Sequence, residues 1–521
     1  MNEKVQTDKR IAKNTLFLYF RMLLTMGVAL YSSRVVLNVL GVEDYGIYNV
    51  VGGVVAMFAL LNSSLASASQ RFITFELGKK ENQKLRETFS TTVTIHNLIA
   101  LVVLILAETV GLWFLKNHIN ISESRMNAAI WVYQFSIFAF VVDIISVPYN
   151  ASIIAHEHMK AFAYVGILEV ILKLVVVFLL PVFEFDKLKF YAILIFSIMV
   201  IIRFVYGYYC KSHFEECRYK FYWDKNLFKS IASFAGWNFI GTSSYILMTQ
   251  GVNILLNLFF GVVVNAARGI ASQVQNAIWS FITNFMTALN PQITKSYASG
   301  DYNQMFRLVN QGTRFSFYLM CIISIPILIE AETILSIWLK TVPDYAVVFV
   351  RLSLLFSLSQ TLSNTLVTAM LATGDIKMYQ IIVGGIQMLN LPLSYLALKA
   401  GFPPQSTLVV AIAISVGLLL FRLKLLRKKI EFSIRFYLLN ILGNVSLVFI
   451  ASSMLPLLCL YYMEPGIVRL LTTSFISVIS TLVSIFYLGL KTKERQMIKT
   501  KIGEKLKNFQ YKKLIPIFLK Q

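Results

Sequence analysis

Apolar runs near the length of a membrane crossing, separated by short polar turns, recur almost from one end of the chain to the other. A helix needs about 20 apolar residues to cross the hydrocarbon core of a bilayer. Such runs predict about fourteen helices, at approximately 14–39, 46–67, 89–114, 127–147, 161–183, 189–210, 230–257, 264–291, 309–333, 345–371, 378–399, 405–422, 436–461 and 468–490. The first, third and eighth are interrupted by Arg21, His96 and Arg268. Transmembrane β-barrel strands alternate polar and apolar residues, so continuous runs of this length exclude a barrel. The expected fold class is an all-α integral membrane protein.

Composition strengthens this reading. Of 521 residues, 57% are hydrophobic and 14% charged, where soluble domains run near about a quarter charged. No long Pro-, Gly- or Ser-rich stretch marks a linker between soluble domains. With the N-terminus inside, about 35 basic residues fall on inside segments and about 7 on outside loops, which predicts cytoplasmic N- and C-termini. The net charge of +22 then describes a cytoplasmic face opposed to anionic lipid. No basic domain interleaved with aromatics points to nucleic acid. The short start MNEKVQTDKR lacks a small-residue cleavage site after the first apolar run, so helix one is expected to be an uncleaved signal anchor. Cys210, Cys217, Cys321 and Cys459 are too few and scattered for a disulfide framework. Cys210, His213 and Cys217 lack a fourth ligand for a metal site.

The chain also carries a weak internal duplication with a period near 220 residues. LNVLGVEDYGIYNV from Leu37, followed by QRFITFELGKKEN from Gln70, is paralleled by LNLFFGVVVNAARGI from Leu256 and QITKSYASGDYN from Gln292. In each copy a helix ends in Leu-Asn, a turn at Gly41 or Gly261 follows, and a second helix runs to the Gln. Gly78 or Gly300 lies eight residues further on. Both copies start inside, as parallel repeats related by an axis along the membrane normal do. The expected organisation is a six-helix lobe at 1–225, a second at 226–425, two additional helices within 426–490, and a basic tail at 491–521. Two such lobes imply a cavity between them and alternating access by rocking, which is the behaviour of a carrier.

What is carried must be read from charge at membrane depth. Arg21, Arg34, Lys173, Arg203, Arg268 and Arg351 fall in predicted helices, against Asp143 and Glu169. A cation at the helix centre costs about 2.5–3.5 kcal/mol on insertion scales, so the central ones must line a watery cavity or pair internally. Arg203 and Arg351 suit structural roles. Lys173 lies four residues after Glu169, within reach of an ion pair. Arg34 and Arg268 flank the equivalent turns of the two repeats. Arg21, Arg34, Arg268 and Lys173 are therefore the candidate cavity residues, and Asp143 is either an ion-pair partner or a protonation site. An excess of cations favours an anionic ligand, and the planar arginine fork suits phosphate.

The segments SRVVLNVLGVEDYGIYNV, SQRFITFELGKKE, VPYNASIIAHEHMKAFAYVGILEVILKL and NAARGIASQVQNAIWSF resemble Wzx-type polysaccharide flippases of the multidrug/oligosaccharidyl-lipid/polysaccharide (MOP) exporter superfamily. The resemblance spans essentially the whole chain, through diffuse motifs rather than catalytic signatures. It implies a MATE-like fold of two pseudo-symmetric six-helix lobes plus two helices in a bacterial inner membrane. It further implies outward flipping of an undecaprenyl-pyrophosphate-linked oligosaccharide for O-antigen or capsule biosynthesis, with the polysaccharide polymerase and chain-length machinery as partners. Arg21, Arg34 and Arg268 match cavity arginines of the family by helix position. The related multidrug branch uses an acidic residue in the middle of helix one, and this chain has none there.

A multidrug antiporter, the alternative reading, would need an acidic, aromatic cavity for cationic drugs. An enzyme is not expected, since no nucleophile–base pair, phosphate-cradling loop or metal cluster is evident, and no cofactor is implied. His156 and His158 bracket Glu157 in a cytoplasmic turn and suit structural roles. The tail from Lys491 has the spacing of a basic amphipathic helix on the inner leaflet.

Overall fold

The computed structural model describes residues 2–56, 59–118, 121–339, 342–492, 494–496 and 500. Among these residues the chain is helical and contains no strand. The helices are α1 (Asn2–Ala56), α2 (Ala59–Lys79), α3 (Asn82–Leu106), α4 (Leu112–His118), α5 (Glu123–Ala155), α6 (Met159–Leu179), α7 (Lys187–His213), α8 (Lys225–Phe260) and α9 (Val262–Ala298). They continue as α10 (Tyr302–Ile329), α11 (Ala331–Trp338), α12 (Ala346–Ala372), α13 (Lys377–Met388), α14 (Asn390–Lys399), α15 (Ser406–Ile430), α16 (Ile434–Phe436), α17 (Gly443–Tyr462) and α18 (Ile467–Ser484).

Eleven stretches among the described residues are long and apolar enough to cross a membrane. They correspond to every predicted helix except the first, second and eighth. Two of those three carry the arginines that break their apolar runs. The predicted turn between helices one and two is instead a kink within α1, where Gly41 takes φ 78°, ψ 171°. Gly261, the matching residue of the second repeat, takes φ 76°, ψ −169° between α8 and α9. That region is open almost only to glycine. A Cβ at either position would meet no atom within 4 Å, so the requirement comes from the backbone and not from crowding.

The chain divides into two units. The first comprises 1–261, 279–312 and 363–432. Within it α5 packs against α7, α2 and α3, α1 lies along α6, and α8 lies along α13. Tyr133 is fully buried and donates to the Ala107 carbonyl at 2.8 Å, at the π-turn Ala107–Gly111. Gly111 leaves room for that ring, since a Cβ there would lie 2.1 Å from the Tyr133 hydroxyl. Arg125 spans Asp44 (Nε–Oδ1, 2.8 Å) and Asp186 (Nη1–Oδ2, 3.0 Å), tying the residues after the Gly41 kink to the N-cap of α7.

The matching ends of the two repeats meet in this unit. Gly78 lies in the last turn of α2, just before the turn at Lys80, and a Cβ on it would fall 2.7 Å from the Ala298 Cβ. Phe75 and Tyr297 sit beside this contact with centroids 6.3 Å apart. Small residues permit such close helix approach where lipid removes the hydrophobic drive between helices. Gly300, by contrast, occupies the turn after α9 with φ 76°.

The second unit comprises 262–278, 313–362 and 433–521. Here α17 and α18 form an antiparallel pair. Arg314 is buried and donates to the Gly489 carbonyl at 3.0 Å and to Glu494 at 2.7 Å. Arg469 pairs with the fully buried Glu330 at 3.0 Å. Arg351 donates to the Leu328 carbonyl at 3.0 Å, satisfying an orphan acceptor at the end of α10. The expected amphipathic tail falls largely on 493, 497–499 and 501–521, outside the described residues.

Candidate functional site

Helix α1 carries Arg21 across the face of α6. Its guanidinium carbon lies 4.2 Å from the centroid of the Phe162 ring. One turn along α6, Gly166 leaves the space that the side chain occupies: a Cβ there would sit 2.5 Å from Arg21 Cδ. The arginine is thereby held between an aromatic face and a glycine gap, with its end toward a cavity of about 580 Å³.

Lys173 and Glu169 of α6 line the same cavity, as do Tyr48, Ser280 and Asn284. Lys173 Nζ donates to Glu169 Oε1 at 2.6 Å, with the two side chains 40% and 30% exposed. A pair this wet is worth about 1 kcal/mol or less, so either partner can be drawn to a ligand at little cost. Tyr48 and Tyr191 stack edge to face, centroids 4.9 Å apart, and also line the cavity. Among the described residues the cavity thus holds two cations and one carboxylate, with aromatic rings and neutral hydrogen-bonding groups around them.

Of the residues expected from sequence, Arg21 and Lys173 are brought together. Asp143 is not a lining residue. It accepts from Asn62 Nδ2 at 2.6 Å, and no Lys or Arg among the described residues lies within ion-pairing distance of it. Arg34 belongs to α1, but its side chain is outside the described residues. Arg268 is half-buried on the first turns of α9, in the second unit. Arg203 packs on the Tyr149 ring at 3.9 Å. The tyrosine pair and the polar residues of α9 were not singled out from sequence. The packing of α1 against α6, α7 and α9 brings them to one place.

A second charged centre was passed over in the sequence. Glu157, in the turn between α5 and α6, adopts φ 61° and leaves only 1% of its side chain exposed. Arg10 of α1 reaches it at 2.8 Å and Lys295 of α9 at 2.7 Å. Gln292 donates to the same oxygen as Arg10, Oε2, while Lys295 holds Oε1, and Asn14 donates to the backbone carbonyl. Burial lowers the Lys295 ammonium pKa, against the pull of Glu157. One carboxylate therefore fastens the start of α1, the α5–α6 turn and the end of α9. Residue 14 precedes the lining residue 21, and residue 292 follows the lining residue 284, each by about two helical turns, roughly 10–12 Å, so this clasp closes the helices on one side of the cavity.

Residues 239–396 match the family model MatE. The fold is similar to that of a multidrug resistance MATE family transporter of the MOP superfamily in an outward-facing conformation, at TM-score 0.69 and 11% identity, covering 82% of this chain and 96% of that one. It is also similar to a MATE transporter in the bent conformation, at TM-score 0.70 and 10% identity, with the same coverage. A third likeness is to a MOP superfamily transporter from Pyrococcus furiosus characterised by the reverse polarity of its binding pocket, at TM-score 0.67 and 12% identity, covering 82% and 96%. No curated protein matches the sequence. The chain has the fold of the MATE transporters.

Proposed function

We propose that this transporter flips an undecaprenyl-pyrophosphate-linked oligosaccharide from the inner to the outer leaflet by alternating access, for O-antigen or capsule biosynthesis. The observation that carries this reading is the convergence of Arg21 and Lys173 on one cavity against a single carboxylate among the described residues, Glu169. An arginine fork and an ammonium bind pyrophosphate oxygens through short charge-assisted hydrogen bonds. Sugars stack on aromatic faces and use neutral donors and acceptors, which Tyr48, Tyr191, Ser280 and Asn284 offer. In an inside-negative bacterial inner membrane, with both termini cytoplasmic, outward movement of an anion gains about 2.3 kcal/mol per charge per 100 mV. Arg34, Arg268 and Asp143 remain candidates in this scheme, the first two for substrate and the last for proton coupling. The polymerase and chain-length machinery would receive the product.

The alternative is an ion-coupled multidrug antiporter, favoured by the multidrug transporters among the similar structures and by Glu169 in the cavity. Depletion of the protein distinguishes the two. The flippase reading expects lipid-linked oligosaccharide to accumulate on the inner leaflet, with rescue by wild type and not by Arg21→Ala. Unchanged lipid distribution with increased sensitivity to cationic drugs would replace it with the antiporter.

A further inference from the structure

A second basic cavity lies in the first unit, away from the transport cavity. Its volume is about 670 Å³, and its lining includes Arg203 and Lys211 of α7, Arg218 and Tyr219 of the following loop, and Tyr149 of α5. Several other cations of this unit meet carboxylates: Arg10 and Lys295 share Glu157, Arg125 spans two aspartates, and Lys173 holds Glu169. Arg203, Lys211 and Arg218 have no carboxylate within ion-pairing distance among the described residues. Three uncompensated cations around one concavity form an electrostatic site for an anion.

The walls beside it say what kind. On α7 the spacing 204, 208, 211 places Phe204, Tyr208 and Lys211 on one face, with Phe204 73% and Tyr208 78% exposed. On α3, exposed Leu98 and Leu101 follow Asn97, which also lines the cavity. Between these helices α5 supplies Ile145 and Tyr149 as the floor. In a membrane-spanning unit such apolar faces meet acyl chains; Lys211 and Arg218 stand at the end of the apolar stretch of α7, where headgroups lie, and Arg203 about two turns further in. We propose that this cavity binds the phosphate headgroup of an anionic phospholipid, with Lys211, Arg218 and Arg203 on the phosphate and the acyl chains along α3 and α7. Arg203 lies deepest, its guanidinium fixed over the Tyr149 ring, and Tyr219 is steadied by Thr94 at 3.3 Å.

The test uses the full-length purified protein in neutral detergent, followed by native mass spectrometry and thermal unfolding. Dioleoyl phosphatidylglycerol, dioleoyl phosphatidylcholine and inorganic phosphate are titrated separately. Phosphatidylglycerol should bind and stabilise, phosphatidylcholine should bind far more weakly, and inorganic phosphate should not compete at equal concentration. Replacing Lys211 and Arg218 together by Gln removes two surface cations worth about a fivefold change each, so phosphatidylglycerol should bind roughly 20- to 30-fold more weakly. Both side chains are exposed, and Arg203→Lys provides a second variant that keeps charge but loses the fork. Binding of a polyprenyl pyrophosphate should stay unchanged in the double variant, which separates this site from the transport cavity. Equal binding of phosphatidylglycerol by variant and wild type, or equal binding of both lipids, overturns the proposal. Competition by inorganic phosphate would assign the cavity to a free anion instead.

Discussion

Two charged centres of the first unit use the same residue types in opposite ways. Around Glu157 the carboxylate is buried and shared among Arg10, Lys295 and Gln292, so its capacity is spent on the protein itself. Around Glu169 one lysine is bound, both side chains remain partly wet, and Arg21 rests on an aromatic ring with its charge turned to open space. The first arrangement fastens helices. The second keeps polar groups available for a ligand. Burial and saturation, more than charge count, separate a structural cluster from a binding one.

Breaking the clasp should give the largest effect. Glu157→Ala leaves a buried glutamine and a partly buried lysine without their acceptor, a class of change that costs about 3–5 kcal/mol when fully buried; the water still reaching Arg10 and Lys295 places it at about 3 kcal/mol. Glu169→Gln should cost less than about 1 kcal/mol, as a half-exposed pair does. Thermal unfolding of both variants in detergent checks the contrast, and equal losses would erase the distinction drawn here.

Next in size come the two kink glycines. Gly41→Ala and Gly261→Ala each force a methyl-bearing residue into a nearly glycine-only region, at about 1–3 kcal/mol. Because neither Cβ would meet a neighbour, the two losses should be similar. A large loss at one position and none at the other, in the same unfolding measurement, would sever the equivalence of the repeats.

The smallest effect belongs to His158, beside the clasp. Burial lowers its imidazole pKa, with His156, His213 and Lys295 adding repulsion and Glu157 opposing. Tyr209 lies at 2.9 Å from its Nδ1. As pH falls below about 6.5, the unfolded imidazole takes up its proton first, so stability declines from there downward until the folded one also protonates. His158→Gln should flatten that part of a stability–pH curve, while Glu169→Gln should leave it in place.

The membrane helices other than the first, second and eighth were legible because apolar length is a local signal, and glycine punctuation likewise marked Gly41 and Gly261. Gly41 was placed at a turn where the structure has a kink, since sequence shows that glycine is needed but not that the helix resumes at once on the same hydrogen-bonded course. Lys173 and Glu169 were legible as an i, i+4 pair. Their convergence with Arg21 was not, because it depends on α1 settling between Phe162 and Gly166 of α6. The clasp was least visible: its carboxylate sits between two histidines in a turn, and its partners are more than 130 positions away along the chain.

The central claim is that the Arg21 cavity receives an anion. Equilibrium binding of a polyprenyl-pyrophosphate-linked oligosaccharide to the purified protein tests it most directly, comparing wild type with Arg21→Ala and Glu169→Gln. Loss of a charge-assisted contact should weaken binding about tenfold or more in Arg21→Ala, and removal of the competing carboxylate should tighten it in Glu169→Gln. Unchanged pyrophosphate binding in Arg21→Ala, together with loss of cationic-drug binding in Glu169→Gln, would contradict the account.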